Sequence, residues 1–211
     1  MDAPSPFPAA PVAAVVFDVG RVLFQWDLRH LFAQLINDPA ELDWFLGHVV
    51  TEQWHFQHDA GRPIAGMVAE RSGEFPDHAS LIAAYAARFN DTIPGPVPGS
   101  LELVDALDAA GVPLYAITNF GADFWDGFRP SQPVFDRFRD VVVSGVEKLV
   151  KPDPAIYGLA ARRFGFAPGA MLFIDDNAAN IAAAQAEGWQ VHHFTTAESL
   201  AFDLRARRLI A

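Results

Sequence analysis

Five short apolar runs, each closing in a polar or turn residue, govern what this chain can fold into: Val12–Phe17, Pro113–Ile117, Val141–Val143, Met171–Ile174 and Gln190–Phe194. They predict buried strands. Helical patterns lie between them, and each ends on glycine: Leu101–Ala110 before Gly111, Pro154–Phe164 before Gly165, Ala178–Glu187 before Gly188. Glycine accepts the left-handed conformation that ends a helix. Strand, glycine-terminated helix and strand again build right-handed crossover units, so residues 96–211 predict a parallel sheet covered on both faces. The expected architecture is a doubly wound, Rossmann-like α/β core.

From about Leu28 to Asn90 the rhythm breaks. Amphipathic stretches such as Asp27–Ile36, Ala40–Val50 and Ala79–Phe89 read as helices, and no strand pattern occurs among them. Ile93–Gly99 then holds three prolines and two glycines, which sustain neither helix nor ladder and mark a return linker. The expectation is a core of residues 12–27 and 91–211, interrupted by a small all-helical cap at 28–90. Residues 1–11, rich in proline and alanine, read as a flexible tail without a signal-peptide pattern.

Composition narrows the function. With 51% hydrophobic and 19% charged residues, the 211-residue chain can bury one sizeable core and a satellite lobe. Twenty-six acidic against 15 basic residues give a net charge of −11, leaving no basic stripe to follow a phosphodiester backbone. Nucleic acid is not an expected partner. No apolar stretch approaches membrane-spanning length, so no membrane is expected either. The lack of cysteine suits a reducing cytosol, and a cytoplasmic protein is expected.

Open parallel sheets bind ligands at the carboxyl ends of their strands. Here those ends read Asp18, then Thr118-Asn119, then Lys151-Pro152, then Asp175-Asp176-Asn177. Singly, each has a plain alternative. Asp18 could close a turn, Lys151 could lie on the surface, and Asp175 or Asp176 could cap the following helix. Adjacent carboxylates, however, repel each other and tend to be kept beside a hard cation or a helix N-terminus.

Together the four ends resemble the haloacid dehalogenase superfamily. Its first motif, a strand followed by Asp-x-x-x-Val/Thr-Leu, is matched by Val15–Leu23, with Asp18 at the aspartate. Tyr115–Asn119 matches a strand ending in Ser or Thr, and Lys151–Tyr157 matches a lysine before Pro-x-Pro-x-x-Tyr. Phe173–Asn177 matches the acidic pair, and the resemblance spans Val12 to about Phe194. It also implies a helical cap after the first motif.

The resemblance implies a magnesium-dependent hydrolase acting on a small phosphate ester. Asp18 would be the nucleophile of an aspartyl-phosphate mechanism. Asp18, the Gly20 carbonyl, Asp175 and Asp176 would hold Mg²⁺, while Thr118 and Asn119 would bind phosphoryl oxygens. Lys151 would both contact the phosphate and keep Asp18 ionised. One departure stands out: family phosphatases usually carry a second aspartate two residues after the nucleophile, as acid and base, and this chain has Gly20. A 2-haloacid dehalogenase, which displaces halide and needs no acid, is one rival reading. A non-catalytic phosphate-binding remnant of the fold is another. Arg21, at an unusual position, reads as a solvated side chain. His55 and His58 read as cap surface rather than a metal pair, and at most one of His192 and His193 can face the core. Trp44, Trp54, Phe56 and Arg62 read as cap residues, the aromatics chiefly as packing.

Overall fold

The structure, a computed structural model, describes residues 11–211; the expected tail, up to Ala10, lies outside the described residues. Strand β1 (Ala14–Phe17) is followed by five helices: α1 (Leu28–Phe32), α2 (Pro39–His48), α3 (Glu52–Asp59), α4 (Ile64–Glu74) and α5 (Ala79–Ala87). Helix α6 (Ser100–Ala109) then leads to β2 (Leu114–Thr118), and α7 (Ala122–Phe128) to β3 (Phe138–Val143). After β3 come α8 (Ser144–Glu147) and α9 (Pro154–Phe164), then β4 (Met171–Asp175), α10 (Ala178–Ala186), β5 (Gln190–His193) and α11 (Ala197–Ala206). The strands pair in parallel in the order β3-β2-β1-β4-β5.

Alternation along β1 explains why its sequence is apolar throughout. Val15 and Phe17 enter one apolar cluster, and Ala14 and Val16 enter a second on the opposite face. A strand covered twice has no solvent side to populate. β3 departs from the expected run by beginning three residues earlier, at Phe138, and taking in the partly or fully exposed Arg139 and Asp140. It sits at the sheet edge, where polar residues are tolerated.

The chain leaves and re-enters the core at one place. Gln25 N–H donates to the Gly95 carbonyl and Val97 N–H to that of Leu23, both at 2.9 Å. The proline-rich linker thus closes against the outgoing segment around Phe24, which bridges to Pro96, instead of floating. The apolar cluster on the Val15 and Phe17 face continues into the inserted helices through Phe32, Phe45, Trp54, Tyr85 and Phe89. Helix α1 is shorter than its apolar pattern: Asp27 caps it by accepting from Arg29 N–H at 2.8 Å, and the helix stops at Phe32. Helix α3 is strongly polar in sequence, yet Thr51 caps it, accepting from Trp54 N–H at 3.0 Å.

Candidate active site

Register brings the strand ends together. Phe17 pairs with Ile174 across β1 and β4, so the next residues, Asp18 and Asp175, leave the sheet side by side. Beyond Asp18 the backbone folds back tightly: the amides of Leu23 and Phe24 both donate to the Val19 carbonyl at 2.9 Å. Arg21 takes a left-handed φ of 59° in that turn.

Lys151 is not a surface residue. It is 2% exposed, and its Nζ lies 2.7 Å from Asp18 Oδ1 and 2.7 Å from Asp175 Oδ2. Its position depends on Asn119, whose amide brackets the Lys151 backbone from both sides. Asn119 Nδ2 donates to the Lys151 carbonyl and Lys151 N–H donates to Asn119 Oδ1, each at 2.9 Å. Asp175, fully buried, also accepts from Asn177 N–H at 2.8 Å and from Asn180 Nδ2 at 3.1 and 3.0 Å. Capping of α10 falls to Asn177, whose Oδ1 accepts from Ala179 N–H at 2.8 Å. Neither member of the acidic pair is needed as that cap. Asp176 is steadied through its carbonyl, to which His193 Nε2 donates at 2.9 Å.

Carboxylate oxygens of Asp18, Asp175 and Asp176 all lie within 4.8 Å of one another. One buried ammonium against three carboxylates leaves an excess of two negative charges when all are ionised. Burial pushes the Asp18 carboxyl up to about 8, with Lys151 opposing the rise and Asp175 and Asp176 adding to it. Asp176 is raised as well, by burial and by Asp175, against the pull of Arg21 and Lys151. For Lys151, burial alone would lower the ammonium, but Asp175 and Asp18 outweigh it and hold it above its usual range. A group of oxygen donors short of positive charge fits a hard divalent cation.

Above this cluster is a cavity of about 170 Å³. Asp18, Gly20, Lys151 and Asp176 line its polar end, and Trp26, Phe56, Phe89, Phe120 and Phe128 supply aromatic walls. Asn119 lines it rather than Thr118, which is buried at the end of β2 in register with Val143. At Gly20, an added Cβ would meet nothing within 4 Å among the described residues, which leaves room there for the missing aspartate.

Several sequence expectations need correction. Arg21 is not a free solvated arginine: it lies over the Trp26 ring, 4.9 Å from its centroid, pairs with Glu52 and lines the cavity. His55 and His58 are buried, not surface, because α3 packs against α8 and their rings meet Tyr85, Phe89 and Phe124. They form no metal pair, since His55 Nε2 faces Asp59 at 3.1 Å while His58 Nδ1 donates to the Arg62 carbonyl at 2.8 Å. Trp54 is core, as expected, whereas Phe56 stands on the cavity wall. Arg62 engages Gln57 and Glu70. His192 is half-buried against Asp203, and His193 is exposed. Asn180 gave no sequence signal inside its alanine-rich helix, and Asp59 was recognisable only by its i, i+4 spacing from His55.

A family profile described as haloacid dehalogenase-like hydrolase matches residues 12–188, the span that carries all four strand-end motifs. The chain belongs to that family. It is an enzyme of the haloacid dehalogenase-like hydrolases, and the five-stranded order above is their fold. The chain is 27% identical over 203 residues to sesquiterpene phosphatase astK of Aspergillus oryzae, covering 93% of this chain and 96% of that one. A haloacid dehalogenase family enzyme of Bacteroides thetaiotaomicron, solved with magnesium and inorganic phosphate, superposes with a TM-score of 0.67 at 20% identity. That match covers 88% of this chain and 95% of the other. L-2-haloacid dehalogenase of Xanthobacter autotrophicus gives a TM-score of 0.64 at 19% identity, covering 95% and 85%.

Proposed function

We propose that the chain is a magnesium-dependent phosphatase acting on a small phosphate ester through an aspartyl-phosphate intermediate. The observation that carries this reading is the two-charge deficit at the Asp18, Lys151, Asp175 and Asp176 cluster. A dehalogenase working without metal has no use for such an excess beside its anionic substrate, whereas a phosphoryl-transfer site uses a cation there.

Asp18 is the nucleophile in this reading; Lys151 opposes the rise that burial and the neighbouring carboxylates impose on it, and a bound cation would complete its ionisation. Asp18, Asp176 and the Gly20 carbonyl are the proposed metal ligands. Asp175, committed to Lys151, Asn177 and Asn180, completes the acidic side and orients the lysine. Bound magnesium supplies positive charge to the transferring phosphoryl group. Asn119 sets the Lys151 loop, and phosphoryl oxygens are received by Lys151 and the backbone beside Thr118 and Asn119. Residues 28–90 serve as a cap whose Phe56 and Phe89, together with Trp26, Phe120 and Phe128 of the core, wall the cavity against water. Those walls favour an ester with an apolar alcohol, a preference in keeping with the name of the Aspergillus oryzae relative.

The test is a panel of phosphate esters and 2-chloroacids assayed with magnesium and with chelator. Phosphate release that disappears in chelator and returns with magnesium is the expected result. Chloride release at full rate in chelator would overturn the reading in favour of the dehalogenase, and no turnover of any ester would favour the binding remnant.

A further inference from the structure

We propose that Asp59, presented by α3, is the proton-transferring residue that replaces the carboxylate absent at Gly20. The inference rests on the phosphatase reading and deepens it. Three acidic or basic side chains reach the cavity from the inserted helices: Glu52, His55 and Asp59. Glu52 is exposed and paired with Arg21. His55 has both ring nitrogens engaged, Nδ1 with the Tyr85 hydroxyl and Nε2 with Asp59 Oδ2 at 3.1 Å. Asp59 differs from both: it is 4% exposed, one oxygen is held by His55, and Oδ1 is buried with no partner among the described residues.

A buried carboxylate oxygen without a donor is costly to keep, because it has lost its water and gained nothing in exchange. It is expected where a ligand or a proton completes it. Its backbone is also anchored to the core. Ser144 Oγ donates to the Asp59 carbonyl at 2.7 Å and accepts from Phe120 N–H at 2.9 Å. The carboxylate is thus fixed relative to the strand ends rather than carried on a free lobe. His55 and Tyr85 are positioning residues that orient it.

In the first step an Asp18 oxygen bonds to phosphorus as the ester P–O bond breaks. The electron pair of that bond goes to the leaving oxygen, which takes the proton from Asp59 and departs as the alcohol. In the second step Asp59 accepts a proton from water as its oxygen bonds to phosphorus. The Asp18–phosphorus bond breaks, releasing inorganic phosphate and restoring both carboxyl groups.

The experiment measures kcat/KM with magnesium for phosphate esters of graded leaving-group pKa, in the native enzyme and in Asp59→Asn. Alkyl esters should lose roughly 10²–10⁴-fold, and aryl esters, which leave without a proton, should lose little. Gly20→Asp added to Asp59→Asn should recover the alkyl esters, since the space beside Gly20 is open. An equal loss on all esters, or none, would mean that Asp59 only supports packing and would overturn the assignment. Should Asp59→Asn not fold, Gly20→Asp alone decides. A shallow native slope of log rate against leaving-group pKa, unchanged by it, supports an acid already in place, and a steep slope flattened by it overturns the proposal. Native protein that hydrolyses no ester at all would instead remove the phosphatase reading, and this assignment with it.

Discussion

At Asp18, stability and the proposed catalytic role pull in opposite directions. The carboxylate is buried beside two others, so it is ionised only at the expense of repulsion that one lysine does not cancel. Asp18→Asn removes that repulsion. It should leave the metal-free melting temperature unchanged or higher while turnover falls by at least about 10³-fold, as removal of a nucleophile does. A comparable rate in purified Asp18→Asn would rule out the nucleophile. Lys151→Met should act the other way. It leaves Asp18 and Asp175 facing each other without a cation, a loss of about 3–5 kcal/mol in unfolding free energy for breaking a buried pair. Denaturant unfolding in chelator measures it, and a change below about 1 kcal/mol would show that the lysine does not carry that balance.

Among the elements, α3 is held by close approach as well as by apolar contact. Its His58 ring stands against Gly121 at the start of α7, so closely that a Cβ on Gly121 would fall 2.0 Å from the ring. Ser144, opening α8, ties the end of α3 to Phe120. Gly121→Ala should therefore displace α3, costing about 1–3 kcal/mol as overpacking does. Gly127→Ala, in the same short helix with open space around it, should be neutral or stabilise by up to about 1 kcal/mol. Chemical denaturation of the two variants separates the cases, and equal losses would mean that the Gly121 contact is not what seats the helix.

For the whole molecule, the charge cluster should make folding sensitive to pH and, under the proposed function, to magnesium. Asp18 is raised to about 8 in the folded state, against about 3.9 in an unfolded chain. Between those values the folded form binds the extra proton, so this group's contribution to stability is present at the acid end and is lost as pH rises toward 8. In chelator the melting temperature should fall between pH 5.5 and 8. Magnesium, supplying the positive charge instead, should flatten that slope and add about 2.7 kcal/mol at a hundredfold excess over its Kd. A melting temperature in chelator that rises over this window would contradict the sign.

The strand set, the glycine-ended helices and the polar residues at the strand ends were legible in the sequence because each rests on local chemistry. A strand buried on both faces must be apolar at every position, and Gly165 and Gly188 adopt φ of 76° and 84°, which other residues resist. Local pattern misled at β3, where an edge strand admits Arg139 and Asp140, and at α3, whose polar sequence concealed a buried face. What only the tertiary structure decided depends on residues far apart in the chain. Asn119 brackets Lys151 across 32 positions, and Ser144 holds Asp59 across 85. Burial of a lysine, or the orphaning of one carboxylate oxygen, is a property of the space that packed elements leave between them, and periodicity along a single element carries no record of that space.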